Sequence, residues 1–208
     1  MILPMKTALL VTGGSAPPFA SIQALLADCR LVCAADSGLD TLRSWGVEPD
    51  LVVGDFDSLS DPSILADYPA AIRYPMDKDE TDTELGIREL RERGCEHIIL
   101  AGGGGGRLDH VLAIRALFER PSGPDEWLTH GERLVRIHTP RCFKLKPGSL
   151  VSIFPLAAGA RGMVSSGLKW PLAGLSWGPG DFGVSNLALE AIIEIVPGDG
   201  ALIVVLPL

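Results

Sequence analysis

Strand-like and helix-like segments alternate through the first two thirds of this 208-residue chain, and that alternation constrains its fold more than any other feature. Short apolar runs at residues 7–12, 31–34, 51–54, 71–74 and 97–101 read as buried strands. Helical patterns fill the gaps, near residues 19–28, 38–45, 61–67 and 81–93, with another at 108–120. Strands separated by helices imply βαβ units and a mainly parallel sheet covered on both faces. After Pro121-Ser122-Gly123-Pro124 the helical period fades. Val-, Ile- and Leu-rich runs at 134–138, 150–154, 191–196 and 201–206, split by Pro and Gly, predict an all-β region. The expectation is an α/β N-terminal domain with a mainly parallel sheet over residues 1–125, followed by a β-sandwich over 126–208.

Hydrophobic residues make up 47% of the chain, enough for a folded core. A net charge of −8 argues against a nucleic-acid surface. It leaves nucleotide binding open, because a metal ion can offset local carboxylates. The four cysteines, Cys29, Cys33, Cys95 and Cys142, form no CxxC pair, so they read as reduced residues of a cytoplasmic protein. The apolar run before Gly13 is too short to span a membrane and lacks a cleavage-site pattern.

Chemistry concentrates in four segments. Gly54-Asp55-Phe56-Asp57-Ser58 follows the apolar run Leu51-Val52-Val53. Asp55 and Asp57, at i and i+2 on extended backbone, point to one side, at the strand end where open α/β sheets bind ligands. Two or three carboxylates with phosphate oxygens suffice for Mg²⁺; the alternative is a simple turn. A second acidic cluster is Asp77, Asp79 and Asp82. Thr81 and Glu84 have capping-box spacing, which places Asp82 in a helical first turn. A helix cap explains Asp82 but not the added charge of Asp77 and Asp79, so cap and metal site both stand. Asp36, in Ala34-Ala35-Asp36-Ser37-Gly38, either binds a ligand or, more simply, caps the next helix.

The fourth segment is the run Gly102 to Gly106, followed by Arg107-Leu108-Asp109-His110. It links a strand to a helix, so bare backbone amides and the helix N-terminus can meet phosphate, and Arg107 can fork onto phosphate oxygens. The run is neither a Walker A motif nor a Rossmann fingerprint. No Ser-His-Asp or Cys-His constellation can be argued; His97, His130 and His138 read as structural or surface residues.

Taken together and in this order, these segments resemble the thiamine pyrophosphokinase family. The matching residues are Ala35-Asp36-Ser37-Gly38, Pro49 to Ser58, Asp77 to Asp82 and Gly106-Arg107-Leu108-Asp109-His110. Ser166-Gly167-Leu168-Lys169-Trp170-Pro171-Leu172 and Val184-Ser185-Asn186 extend the likeness into the second region. The resemblance implies pyrophosphoryl transfer from ATP to thiamine by a homodimer, with thiamine bound between one chain's α/β domain and the other's sandwich. It assigns Asp55, Asp57 and Asp82 to Mg²⁺, and Asp36, Thr81, Gly102, Gly106 and Arg107 to the nucleotide. Asp109 joins the phosphate site, and either Asp82 or Asp109 would accept the hydroxyl proton. Trp170, Ser185 and Asn186 would contact thiamine. The rival readings are a non-catalytic nucleotide or Mg²⁺ module and a metal-dependent phosphohydrolase. Two departures stand out: a longer glycine run than the family's, and Ile114 where many members have a small polar residue.

Overall fold

The computed structural model describes residues 6–208, so the part of the N-terminal reading that falls on residues 1–5 lies outside it. The chain divides into two compact units, one ending at His130 and the other starting at Gly131.

The first unit is α/β. Its elements in order are Thr7–Val11 (β1), Phe19–Leu26 (α1), Cys29–Ala35 (β2), Gly38–Trp45 (α2), Leu51–Gly54 (β3), Ile72–Arg73 (β4), Asp82–Glu92 (α3), His97–Ala101 (β5), Leu108–Leu117 (α4) and Glu126–Leu128 (β6). Pro62–Asp67, expected as a helix, is a short 3-10 helix that starts on proline. All six strands are parallel, in the order β6-β5-β1-β2-β3-β4. Burial on both faces explains the unbroken apolar runs. Leu9 and Val11 pack into one cluster with Ile22 of α1 and Leu39 and Leu42 of α2. Leu10, between them in sequence, lies under α3, where a Cβ on Gly86 would stand 2.6 Å from its Cδ1. Helices therefore cover both sides, and the carboxyl ends of β1, β2, β3 and β5 open at one edge.

The α3 capping box forms as the sequence predicts. Thr81 Oγ1 accepts the Glu84 N–H at 3.3 Å, and Glu84 Oε2 accepts the Thr81 N–H at 2.9 Å. By contrast, α2 has no side-chain cap: Ser37 is its N-cap residue and makes no capping hydrogen bond.

The second unit is an all-β sandwich. Its strands are Glu132–Ile137 (β7), Arg141–Lys144 (β8), Leu150–Pro155 (β9), Ala160–Arg161 (β10), Val164–Ser166 (β11), Ser176–Trp177 (β12), Gly183–Leu187 (β13), Ile192–Val196 (β14) and Leu202–Pro207 (β15). One antiparallel sheet runs β13-β9-β15-β7 and the other β11-β14-β8, with a small β10–β12 ribbon. Alternate residues of the two sheets meet in a single core: Val151, Ile153, Val204 and Val135 from one, Ile193, Ile195 and Phe143 from the other. Trp177 packs partly buried against it. Among the described residues, no helix is long and apolar enough to cross a membrane.

Candidate active site

Three carboxylates converge at the ends of β2 and β3. Oxygens of Asp36, Asp55 and Asp57 lie within 4.8 Å of one another. Parallel pairing of Ala35 with Val53 sets the two strand ends side by side, and the Asp36 N–H donates to Val53 O at 2.9 Å. Asp36 and Phe56 hold left-handed backbone, at φ 47° and 67°, an uncommon conformation for non-glycine residues and one that gathers at functional sites. Phe56 is buried, and its turn, rather than extended alternation, brings Asp55 and Asp57 together. This corrects the simple strand geometry expected for the pair.

Asp36 does not cap α2. Its Oδ1 is buried without a hydrogen-bond partner among the described residues. An unpaired buried carboxylate oxygen is costly unless a cation completes it. An all-oxygen set of this kind suits Mg²⁺, so the donors present fit the ion that the sequence suggests. Asp82 stands beside this group but is not within its 4.8 Å circle. Lys78 lies between: its Nζ is 2.5 Å from Asp55 Oδ2 and 3.2 Å from Asp82 Oδ1. The first contact is a hydrogen bond; the second is an ion pair that leaves Asp82 Oδ1 without hydrogen-bond geometry. Burial pushes the Asp82 carboxyl up, Lys78 pulls against it, and the Asp55 charge adds to the rise. Burial acts on Asp55 in the same sense, but hydrogen bonds from Lys78 and the Asp57 amide outweigh it, and Asp55 sits below its usual value. Asp77 and Asp79, which the sequence joins to this cluster, are exposed.

A cavity of about 620 Å³ adjoins the acidic corner. Asp36, Ser58, Thr81 and Asp82 line it, together with Gly106, Arg107 and Asp109. The glycine loop is held in place rather than free: Gly103 N–H donates to Gly13 O at 2.7 Å, and Ser15 N–H to Gly104 O at 2.6 Å. Gly102 is a support, not a wall. It adopts φ 99°, and a Cβ there would stand 2.3 Å from Thr12 O, so only glycine fits. Buried Ile114 lines the cavity, and its Cδ1 lies 2.1 Å from where a Gly103 Cβ would be. Bare backbone at Gly103 is thus what makes room for Ile114.

Arg107 and Asp109 pair through Nε–Oδ1 at 3.1 Å and Nη2–Oδ2 at 2.5 Å, both largely exposed. This contact raises the guanidinium and holds the Asp109 carboxyl below its usual range. Glu84, which also lines the cavity, pairs with Arg120, whose Nη1 lies 2.5 Å from Glu84 Oε1.

In the second unit, Asn186 of β13 is hydrogen-bonded to Trp170, and Ser185 precedes it on the strand. Trp170 is half exposed, with Lys169 Nζ 4.4 Å above its ring. Buried Asn186 is spent on backbone: Oδ1 accepts the Trp170 N–H at 3.1 Å and the Leu187 N–H at 2.8 Å, and Nδ2 donates to Trp170 O at 2.7 Å. Ser185 is exposed at φ 59°, beside a register irregularity between β13 and β9.

Residues 22–122 match the family model described as thiamin pyrophosphokinase, catalytic domain, a span that takes in the acidic corner and the glycine loop. That span is a thiamin pyrophosphokinase catalytic domain. The thiamine pyrophosphokinase of Bacillus subtilis (strain 168) is 26% identical over 176 residues, covering 81% of this chain and 82% of that protein. A crystal structure of thiamine pyrophosphokinase from Bacillus subtilis superimposes with a TM-score of 0.83 at 23% identity, covering 97% of this chain and 99% of that one. Thiamin pyrophosphokinase from Candida albicans does so at 0.75 and 17% identity, covering 97% and 90%. These likenesses extend the family's α/β-then-sandwich architecture across both units.

Sequence alone gives Lys78 no role, although its place between Asp77 and Asp79 puts a cation inside the acidic cluster. Only the fold brings it to Asp55, 23 residues away.

Proposed function

We propose that this enzyme transfers the pyrophosphoryl group of ATP to the hydroxyl of thiamine, giving thiamine diphosphate and AMP. One observation carries the reading. The family's catalytic segment folds around one cavity that the carboxylate corner adjoins and that the glycine loop and Arg107 help to line. That is the division of labour a polyphosphate and its metal need.

In this reading ATP lies in the cavity, with Arg107 turning from Asp109 to fork onto phosphate oxygens. Asp36, Asp55 and Asp57 would hold Mg²⁺, with Asp82 beside them, and the bound ion would neutralise phosphate charge. The thiamine hydroxyl oxygen attacks the β-phosphorus. The bond from that phosphorus to the α–β bridging oxygen breaks, and AMP leaves. The hydroxyl proton passes to a carboxylate. A base works best with a pKa near the operating pH. Burial raises Asp82 toward that range, and Asp109 is the other candidate once Arg107 has turned to the phosphates.

Trp170 offers a half-exposed ring to the thiamine cation, which would take the place of Lys169 Nζ over it, and exposed Ser185 on β13 offers a hydroxyl. We assign both to a thiamine site completed in a homodimer, where the partner subunit's Trp170 and Ser185 face this chain's phosphate chemistry. All four cysteines are free, which suits a cytoplasmic enzyme. Incubation with ATP, Mg²⁺ and thiamine should give AMP and thiamine diphosphate in equal amounts. Orthophosphate released at the same rate without thiamine would instead make it a phosphohydrolase.

A further inference from the structure

Four carboxylates, Asp36, Asp55, Asp57 and Asp82, crowd the ends of β2 and β3 and the start of α3. Lys78 is the cation that reaches into them. Its side chain is 13% exposed, and those of Asp55 and Asp82 are 10% and 21% exposed. This is not a solvated surface pair, whose two charges would contribute little. Lys78 takes Asp55 Oδ2, and the Asp57 N–H already sits 3.3 Å from Asp55 Oδ1. Both oxygens of the central carboxylate therefore already accept a hydrogen bond from within the protein. A metal ion joining Asp36 and Asp57 must share Asp55 with an ammonium group or displace it. In either case two cations meet at one carboxylate in a partly buried corner, where their repulsion is only partly screened.

We propose that Lys78 is a resident cation that competes with the metal for Asp55, so that metal without nucleotide binds weakly and the ion enters together with the polyphosphate. This rests on the metal corner assigned under the proposed function. The nucleotide changes the balance because its phosphate oxygens give the ion further ligands and give the Lys78 ammonium an alternative anionic partner. Lys78 acts here through Asp55 and is a positioning residue.

The test is direct metal binding to the nucleotide-free protein, with Mn²⁺ as the probe, because it shares the oxygen preference of Mg²⁺ and its free and bound forms are distinguished by electron paramagnetic resonance. Lys78→Met and Lys78→Gln should bind Mn²⁺ at least about tenfold tighter than the wild type. Lys78→Arg, which keeps the charge, should remain near the wild type. Adding Asp57→Asn to Lys78→Met should remove the gain. If both neutral variants bind no tighter while Asp57→Asn still weakens binding, the inference fails and the metal corner stands. If Asp57→Asn leaves Mn²⁺ binding unchanged, the metal corner fails and the inference with it. Thermal unfolding checks the fold. A loss of the wild-type transition in both neutral variants that Mn²⁺ does not restore also contradicts the inference, because a resident cation is one that metal can replace.

Discussion

Gly54 gives Asp36 its place: a Cβ at position 54 would stand 3.2 Å from both the backbone N and the Cα of Asp36. The two residues end neighbouring strands, and Gly54 also adopts φ 148°, a conformation that L side chains rarely take. Gly54→Ala should cost about 1–3 kcal/mol through strain and crowding. It should lower activity further by moving the one corner carboxylate that comes from β2. Paired melting and turnover measurements check this; a wild-type melting point with wild-type turnover would remove Gly54 from the site's construction.

Arg107→Ala should raise the KM for ATP by roughly tenfold or more and slow turnover, whereas Arg107→Lys should recover only part of the loss, because lysine keeps the charge but not the planar fork. Steady-state kinetics on both variants decide. Full activity in the lysine variant would reduce Arg107 to a distant charge.

The parts of the site that were legible in sequence are those built locally. The strand ending at Gly54 showed as an apolar run, and the α3 start as a capping box, because each signal lies within a few consecutive residues. Asp36 was ambiguous because capping and ligand binding ask for the same residue at the same place. Its unpartnered oxygen appears only when β2 pairs with β3. Lys78 was invisible for the same reason, since its partner Asp55 is distant in sequence. In the second unit, β9, β14 and β15 were readable from their Val-, Ile- and Leu-rich runs. Strands such as Gly183–Leu187 were not, because a glycine, two polar residues and a register irregularity erase the pattern.

Asn186→Ala should act on thiamine rather than on ATP. The amide holds both the N–H and the carbonyl of Trp170, so its loss leaves backbone groups unpaired, at about 1–3 kcal/mol. It also frees the Trp170 ring from its present position. The KM for thiamine should rise while the KM for ATP stays unchanged. An equal rise in both would place Asn186 in general stability only.

Mixing inactive parents tests the sharing of sites between chains. An Asp57→Asn chain and a chain carrying Trp170→Ala and Ser185→Ala should each be nearly inactive as homodimers. In a mixed dimer with shared sites, both defects fall in one site and the other is intact, so activity should return after subunit exchange. A verified mixed dimer that stays inactive would mean that each site is built from one chain.

The most direct test of the central claim is the fate of the two outer phosphates. With ATP labelled separately at the β- and γ-phosphorus, the account predicts that both labels appear in thiamine diphosphate at the same rate, with unlabelled AMP as the co-product. Label from the γ-phosphorus alone on thiamine, or in orthophosphate, would contradict attack at the β-phosphorus and the function built on it.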